Sequence, residues 1–319
     1  MTEARKIILE AECVIIGGMP VNFVSERLKL GRLTFMQSER FFKGPLWKDA
    51  ARFLKYCRYS GGRKAARDPD AKFFLLSAGA FAAKDYNACG LFRGKSYKWG
   101  YFPEVKKYDD VNALIAKKEP GLILWAGRFL DWKHPDLAVS LAKNLRDSAA
   151  KFRLKIIGSG EMQETLSKMI DAYNLRECVE LSGALPVAEI RAEMERAQIF
   201  LFTSDRGEGW GVVQNEAMNS ACCVVAGSKI GSVPYLVKDN HNGIIFHDRN
   251  IKDLTQKVSV ILQYPQRISE LGRNAYETVS GIWSAENAAG RFVELSGALN
   301  GGRVNAFSDG PCSAAGVVG

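Results

Sequence analysis

The sequence contains no apolar run that approaches the roughly 18 residues a membrane-spanning helix needs. Its N-terminal residues, MTEARKIILEAE, mix charges of both signs, which is not the pattern of a secretory signal. The seven cysteines include no C-x-x-C pair, which argues against a disulfide framework. We therefore expect reduced thiols and a cytoplasmic protein, whose only approach to the plasma membrane would be peripheral, at its inner face.

Several chemical signals are also missing. The three histidines, His134, His241 and His247, share no metal-ligand spacing, and no Ser/His/Asp or Cys/His arrangement stands out. Residues 68–70 spell D-P-D, a carboxylate pair that can bind a metal ion, but they precede a strand in a basic loop. Residues 158–160, G-S-G, lack the third glycine of a dinucleotide fingerprint, which disfavours an NAD-dependent dehydrogenase. We expect neither a metal nor a bound cofactor.

The net charge of +9 is unevenly placed along the chain. Residues 1–115 hold 21 Lys+Arg and 12 Asp+Glu, whereas the rest of the chain holds 23 of each. Two interpretations stay open: an ordinary solvated basic surface, or attraction to anionic lipid headgroups or an acidic acceptor. The cations form no dense stripe or known reading motif, so we expect no nucleic-acid partner.

Apolar strands alternate with helical patterns along the chain, which predicts an α/β fold with doubly wound parallel sheets. Residues 104–120 are charged and weakly patterned, and we place the domain boundary there. The resulting division is 1–115, 116–298 and a Gly/Ala/Ser-rich tail, 299–319, that we expect to be disordered. Before the boundary, the predicted strands are 13–16, 34–36 and 73–76, with a helix predicted at 47–59 and a basic loop at 61–70 between the second and third of them. After the boundary, the predicted strands are 122–125, 154–157, 179–181, 199–202, 223–226 and 243–246.

One stretch organises the second part. A short apolar strand, 199–202, is followed by a loop, 203–211, with three glycines, and a helical spacing starts at Val212. The first backbone N–H groups of a helix have no internal partner, so this arrangement predicts an anion site. Glu208 and Glu216 frame it, and a carboxylate can accept two hydrogen bonds from neighbouring sugar hydroxyls. The stretch therefore predicts a site for a nucleotide-sugar.

Three further clusters follow predicted strands, where open α/β sheets bind ligands. Gly127-Arg128 and Lys133 supply two cations that could neutralise a diphosphate. Gly158 opens a tight turn. The segment 183–186, which includes Leu185, could face a nucleobase with its backbone.

Five motifs resemble, in order, those of the family-4 retaining glycosyltransferases (glycosyl transferases group 1), which have the GT-B fold. They are AGRFLDWKHPDLA (126–138), KIIGSGE (155–161), ELSGAL (180–185), DRGEGWGVVQNEAM (205–218) and GSVPYLVKDNHNG (231–243). Residues 13–109 resemble the acceptor-side domain of bacterial members that make polysaccharides. The resemblance implies two Rossmann-like domains. We expect the N-terminal one to be incomplete, with the chain beginning after that domain's first strand and glycine-rich loop.

The resemblance also implies roles. Arg128 and Lys133 would stabilise the diphosphate leaving group, Glu208 would face the donor sugar, and Glu216 would hold the ribose hydroxyls. Tyr235 stands where the family usually has glutamate, a departure that bears on donor contacts. No metal is implied, because cations and a helix terminus replace it. The implied donor-binding residues are Gly127, Gly158, Leu185, Gly209, Trp210, Gly211, Val212, Val213 and Glu216.

The resulting hypothesis is a hexosyltransferase-type glycosyltransferase that uses a nucleotide-diphosphate-sugar as co-substrate and retains the anomeric configuration. Its acceptor would be a glycan or a lipid-linked glycan, with peripheral contact to an anionic membrane. The alternative is a truncated paralogue that binds the nucleotide-sugar but is catalytically inactive.

Overall fold

The computed structural model describes residues 3–17, 24–44, 47–51, 54, 60–302 and 307–316. The chain forms two compact units: the first unit is Met1–Tyr101 with Ala285–Gly319, and the second unit is Phe102–Ser284. Each unit is α/β with its own parallel sheet, which confirms the predicted fold class. No helix among the described residues combines the length and the apolarity that crossing a bilayer requires.

The first unit contains four parallel strands in sequential order, β1-β2-β3-β4. Apolar side chains cover both faces of this sheet: one cluster contains Leu75 and Tyr86, and the other contains Phe35 and Leu295. The strands are β1 Val14–Gly17, β2 Thr34–Ser38, β3 Phe73–Ala78 and β4 Ser96–Trp99, and the helices are Glu3–Glu10, Ser25–Lys29, Ser60–Arg67, Ala82–Ala88 and Ala285–Asn300.

The predicted basic loop at 61–70 is wrong, because most of it is helical. Ser60–Arg67 is a helix that buries Ala66 against the sheet. Lys95 stabilises the loop that follows this helix, since its buried ammonium donates to the carbonyl oxygens of Asp68 and Ala71. The predicted helix at 47–59 is helical at 47–51 and 54, and its other residues lie outside the described ranges.

The predicted domain limits also need correction. The first unit ends at Tyr101 rather than near 115, and helix Ala285–Asn300 belongs to it rather than to the second unit. The predicted disordered tail is wrong for residues 307–316, which pack along β4. Cys312 is buried, and backbone hydrogen bonds of 2.8 Å join Lys98 N–H to the Ser313 carbonyl and Cys312 N–H to the Lys98 carbonyl. These backbone groups are paired, so the segment is held as a partner of the sheet edge.

The second unit contains six parallel strands in the order β10-β9-β8-β5-β6-β7. Two apolar clusters of buried side chains lie on its two faces, under helices on each side. The strands are β5 Glu119–Ala126, β6 Arg153–Ile157, β7 Val179–Leu181, β8 Ala197–Phe202, β9 Cys223–Gly227 and β10 Ile244–Phe246, and the helices are Val111–Ala116, Pro135–Asp147, Gln163–Ala172, Val187–Arg196, Val212–Asn219, Val233–Leu236, Ile251–Ile261 and Pro265–Ser280.

The order of these strands places a topological switch point between β5 and β8. The chain proceeds from β5 to β6 and β7 on one side, then returns to pair β8 with β5, with Ile123 opposite Ile199. The loops that follow β5 and β8 therefore leave the sheet side by side and turn away in opposite directions. Such a crevice, at the carboxyl ends of parallel strands, is where doubly wound sheets bind ligands.

Candidate active site

The loop after β5 carries Lys133 to the crevice. A three-residue 3-10 turn, Asp131–Lys133, precedes the Pro135–Asp147 helix and projects the Lys133 ammonium over the Trp132 ring, 4.6 Å from its centroid. The Lys133 side chain also lies against Gly127, where an added Cβ would be 3.7 Å from Lys133 Cδ. Two predicted site residues are thus in direct contact, with the cation in a fixed orientation.

Glu208, from the loop after β8, lies against Lys133. Lys133 Nζ donates to Glu208 Oε2 at 2.6 Å, and the two side chains are only 14% and 11% exposed. Ser204 Oγ donates to the same carboxylate oxygen at 3.2 Å. The structure therefore brings together two residues that are 75 apart in the chain and were predicted separately. A low-exposure pair of this kind holds both side chains in place more firmly than a solvated pair.

The N-terminus of helix Val212–Asn219 lies directly after this loop. Gly211 caps it with a φ of +86°, and a Cβ there would overlap the Phe202 ring, so both the backbone angle and the space require glycine. The backbone N–H groups of Val212 and Val213 donate to no acceptor among the residues that the structure describes. They are therefore available to an anion.

Glu216 lies one turn into the same helix and is half-buried. Burial raises the pKa of its carboxyl, and the Arg191 guanidinium opposes that shift. The carboxylate accepts no hydrogen bond from any described residue, since Arg191 donates to the Glu216 carbonyl instead. A partly desolvated carboxylate without a protein donor is suited to accept hydrogen bonds from a ligand.

Glycines allow the loops after β5, β6 and β7 to contact one another closely. Gly158 has a φ of +150°, and a Cβ on it would overlap the Gly127 carbonyl oxygen. Gly158 N–H donates to the Gly183 carbonyl at 2.7 Å, which brings the segment with the half-buried Leu185 to the same edge of the sheet. Arg128 is exposed at this edge, and its side chain makes no ion pair within the described part of the chain.

A family model described as glycosyl transferases group 1 matches residues 107–278, more than half of the chain. The chain belongs to this family. The match confirms that the motifs resemble those of the glycosyl transferases group 1. It covers most of the second unit, including the loops of the crevice.

Two curated relatives and one solved structure show the extent of the likeness. A GDP-mannose-dependent α-(1-6)-phosphatidylinositol monomannoside mannosyltransferase of Mycolicibacterium smegmatis is 26% identical over 180 residues, 54% of this chain and 47% of the relative. A poly(ribitol-phosphate) α-N-acetylglucosaminyltransferase of Staphylococcus aureus is 29% identical over 171 residues, 53% of this chain and 34% of the relative. The Anabaena HepE structure with UDP has a TM-score of 0.70 at 13% identity, covering 93% of this chain and 81% of that one.

These comparisons show the GT-B type of fold, with two parallel α/β sheets, for this group 1 family member. The chain spans about half the length, or less, of the curated relatives it matches. The likeness to the solved structure, at low identity, concerns the fold alone.

Two of the predicted donor-binding residues, Gly209 and Trp210, are buried. The Trp210 indole is only 1% exposed, donates to Asn215 Oδ1 at 2.9 Å and packs 5.9 Å from the Trp283 ring. Tyr235, at the departure from the family pattern, stacks on Trp283 with an interplanar angle of 17°. Gly209 is buried, with its carbonyl against Gly231. The Trp210 side chain therefore supports the loop from beneath, and a role in donor contact would fall to backbone groups.

Sequence reasoning missed four residues whose side chains connect β5 and the loop after it to the loop after β8. Trp125 Nε1 donates to Thr203 Oγ1 at 2.8 Å, and Thr203 Oγ1 donates to the Lys133 carbonyl at 2.7 Å. His134 Nε2 lies 3.3 Å from Asp205 Oδ2. These contacts join β5 and its loop to the loop after β8 across 70 or more residues of the chain. Only the strand order, which the motifs do not state, would have revealed them.

The other enzyme signals are structural here. Asp68 Oδ1 accepts from Asp70 N–H at 3.0 Å, which makes the D-P-D segment an exposed turn. Glu180, in the incomplete dinucleotide pattern, lies on β7 and pairs with Lys155 at 3.1 Å. No group of three or more His, Cys, Asp or Glu residues that could hold a metal ion occurs within the described ranges.

Proposed function

We propose that this protein is a glycosyltransferase that takes a sugar from a nucleotide-diphosphate-sugar and transfers it, with retention of configuration, to a glycan or lipid-linked acceptor in polysaccharide biosynthesis. The proposal rests on one observation at the switch point of the second unit. There the Lys133–Glu208 pair lies beside the N-terminus of helix Val212–Asn219, whose first backbone N–H groups have no acceptor among the described residues. The names of the relatives support a nucleotide-sugar donor, since one is GDP-mannose-dependent and one fold neighbour contains UDP.

The diphosphate would bind between two cationic side chains and the N-terminus of a helix. Lys133 and the exposed Arg128 supply full charges, and the Val212 and Val213 N–H groups supply hydrogen bonds aligned with the helix dipole. As the bond between sugar and phosphate breaks, negative charge grows on the leaving diphosphate. Groups already held in place for that charge stabilise the transition state without reorganising.

The carboxylates would flank the diphosphate. Glu208, tied to Lys133 and Ser204, would face the donor sugar, and its position is coupled to the cation that neutralises the leaving group. Glu216 would accept hydrogen bonds from the two ribose hydroxyls. The segment around Gly158 and Leu185 would contact the nucleobase. No step requires a metal ion, because cations and the helix terminus carry the charge.

We expect Glu216→Ala to weaken binding of the matching nucleoside diphosphate about 5- to 150-fold, which corresponds to about 1–3 kcal/mol for the lost ribose contact. Titration calorimetry with UDP, GDP and ADP, and with their sugar conjugates, measures this and identifies the nucleotide. Glu164→Ala is the matched control, because its carboxylate is 80% exposed on a different helix. A folded wild type that binds none of these ligands would contradict the proposal, and binding without turnover would favour the inactive alternative.

Peripheral contact with an anionic membrane is part of the proposal and rests on charge. Residues 1–115 carry the whole net surplus of nine positive charges, and Lys64, Lys84 and Arg93 are exposed in the first unit. Each such cation near an anionic surface contributes about 1 kcal/mol at most, and salt screens the attraction. The lipid contact would bring a lipid-linked acceptor to the enzyme.

We expect the protein to sediment with phosphatidylglycerol-containing vesicles at low ionic strength and to be released when the salt is raised to about 0.5 M, where the Debye length falls below about 5 Å. Purely zwitterionic vesicles are the control and should retain little protein. A protein that stays in the supernatant with anionic vesicles at low salt would show that the basic surface is merely solvated.

A further inference from the structure

His134 occupies an unusual position between the two loops of the crevice. It follows Lys133 directly, caps the Pro135–Asp147 helix and has left-handed backbone angles, φ 48° and ψ 53°, which non-glycine residues seldom adopt. Its side chain is 12% exposed and lies between two carboxylates. Nε2 is 3.3 Å from Asp205 Oδ2, and Nδ1 is 3.7 Å from Asp136 Oδ1. Only the imidazolium can offer a proton on both nitrogens, so the surroundings suit the charged ring.

Asp205 is the corner of the loop that carries Glu208. Its N–H donates to the Trp132 carbonyl at 2.9 Å, its Oδ1 accepts from Gly207 N–H at 2.7 Å, and its carbonyl accepts from Glu208 N–H at 3.1 Å. The second carboxylate oxygen faces His134. The side chain thus adds a second link between the Asp205 corner and the Lys133 loop, beside the backbone hydrogen bond to the Trp132 carbonyl.

We propose that His134 is a positioning residue: it holds the Asp205 corner against the Lys133 loop and so sets where Glu208 lies relative to Lys133. This inference rests on the proposed function for its catalytic readout, and on no contact between His134 and the substrate. Lys133 and Glu208 already touch at 2.6 Å, but both sit on loops, and a hydrogen bond between two loops fixes the site only if the loops themselves are fixed.

The charges around the ring make this attachment dependent on pH. Asp136, from the N-terminus of its own helix, and Asp205, from the loop after β8, raise the pKa of His134 from its ordinary 6.5 to about 9. In return, the imidazolium helps to hold the pKa of Asp205 below its ordinary value, together with Gly207 N–H and the more distant Arg249. Because the folded-state pKa of the histidine is raised, its stabilising charge is fully present below pH 6.5 and is lost as the pH rises through about 9.

The test compares His134→Asn and His134→Ala with the wild type. Asparagine tolerates the left-handed conformation but carries no charge, so it separates the backbone requirement from the ion pair. We expect both variants to lower kcat about tenfold at neutral pH through misplacement of Glu208, with less than about a threefold change in Kd for the nucleoside diphosphate. The wild-type kcat should fall towards that of His134→Asn as the pH passes about 9. His241→Asn, an exposed histidine of the same unit, is the control and should match the wild type.

A second readout does not depend on turnover. Amide hydrogen exchange at Gly207 and Glu208 should be faster in His134→Asn than in the wild type at neutral pH, and the two should converge above about pH 9, whereas exchange inside helix Pro135–Asp147 should change little. Identical exchange at Gly207 and Glu208 in both proteins would overturn the inference. A wild type that fails to bind any nucleotide would instead overturn the proposed function, and the exchange experiment would still decide the role of His134.

Discussion

Lys133→Met is expected to lower kcat about 10²- to 10³-fold, the largest effect on activity of any single change described here. The variant removes the cation that would neutralise the leaving diphosphate, and it also leaves Glu208 as a carboxylate that is 11% exposed and has lost its counter-charge. Both effects act on the transition state, because an unpaired carboxylate beside a departing diphosphate repels the charge that develops there. Steady-state kinetics with the donor identified by calorimetry measures the loss.

The two effects can be separated by a double-mutant cycle. Glu208→Gln in the Lys133→Met background removes the unpaired charge, so the double variant should regain part of the unfolding free energy that Lys133→Met loses. It should not regain kcat, because it also lacks the carboxylate that would face the donor sugar. Lys143→Met is the control, because its partner Asp147 is well exposed and the pair should matter little. Near-normal kcat in Lys133→Met would show that this cation does not act on the leaving group.

Gly158→Ala is expected to have the largest effect on stability, a loss of about 3–5 kcal/mol in the free energy of unfolding. The φ of +150° strains any residue with a Cβ, and the added methyl would overlap the Gly127 carbonyl oxygen and come within 2.9 Å of the Phe129 ring. A carbonyl cannot rotate away as a side chain can, so the loops after β5 and β6 would have to separate. Since Gly127 and Lys133 lie in one of these loops, nucleotide affinity should fall as well.

Urea unfolding followed by nucleotide titration tests this expectation. Gly290→Ala is the matched control: Gly290 lies in helix Ala285–Asn300, an added Cβ there meets no atom within 4 Å, and alanine is the better helix former by about 1 kcal/mol. The control should therefore be slightly more stable than the wild type. If Gly158→Ala unfolds at the same urea concentration as the wild type, the two loops are not packed as described.

Local pattern was enough to find most of the second unit. The apolar run at 199–202 lies within β8, the helix begins at Val212 as predicted, and the strand predicted at 122–125 lies within β5. These elements are short, strongly patterned and bounded by glycine or polar loops, so their local sequence and their tertiary environment agree. The same clarity let the motifs locate Glu208 and Lys133 in separate loops.

The remaining features depend on contacts between distant residues, which no local pattern states. The sequence of the basic segment containing Lys64 predicts a loop, but the burial of Ala66 stabilises the segment as a helix. The tail near Cys312 has no periodicity, yet β4 supplies it with hydrogen-bond partners. His134 matches no site pattern in the sequence, because only the pairing of β5 with β8 brings Asp205 to its ring.

The division of the chain has a consequence for its synthesis on the ribosome. The second unit is one continuous segment, Phe102–Ser284, whereas the first unit joins residues from both ends, as in the hydrogen bond from Lys72 Nζ to the Asn300 carbonyl, 228 residues apart. A nascent chain can therefore complete the second unit while the strands of the first unit, made earlier, still lack helix Ala285–Asn300. Their exposed apolar faces would be the surfaces that chaperones protect, and the part translated first would be the last to reach its native state.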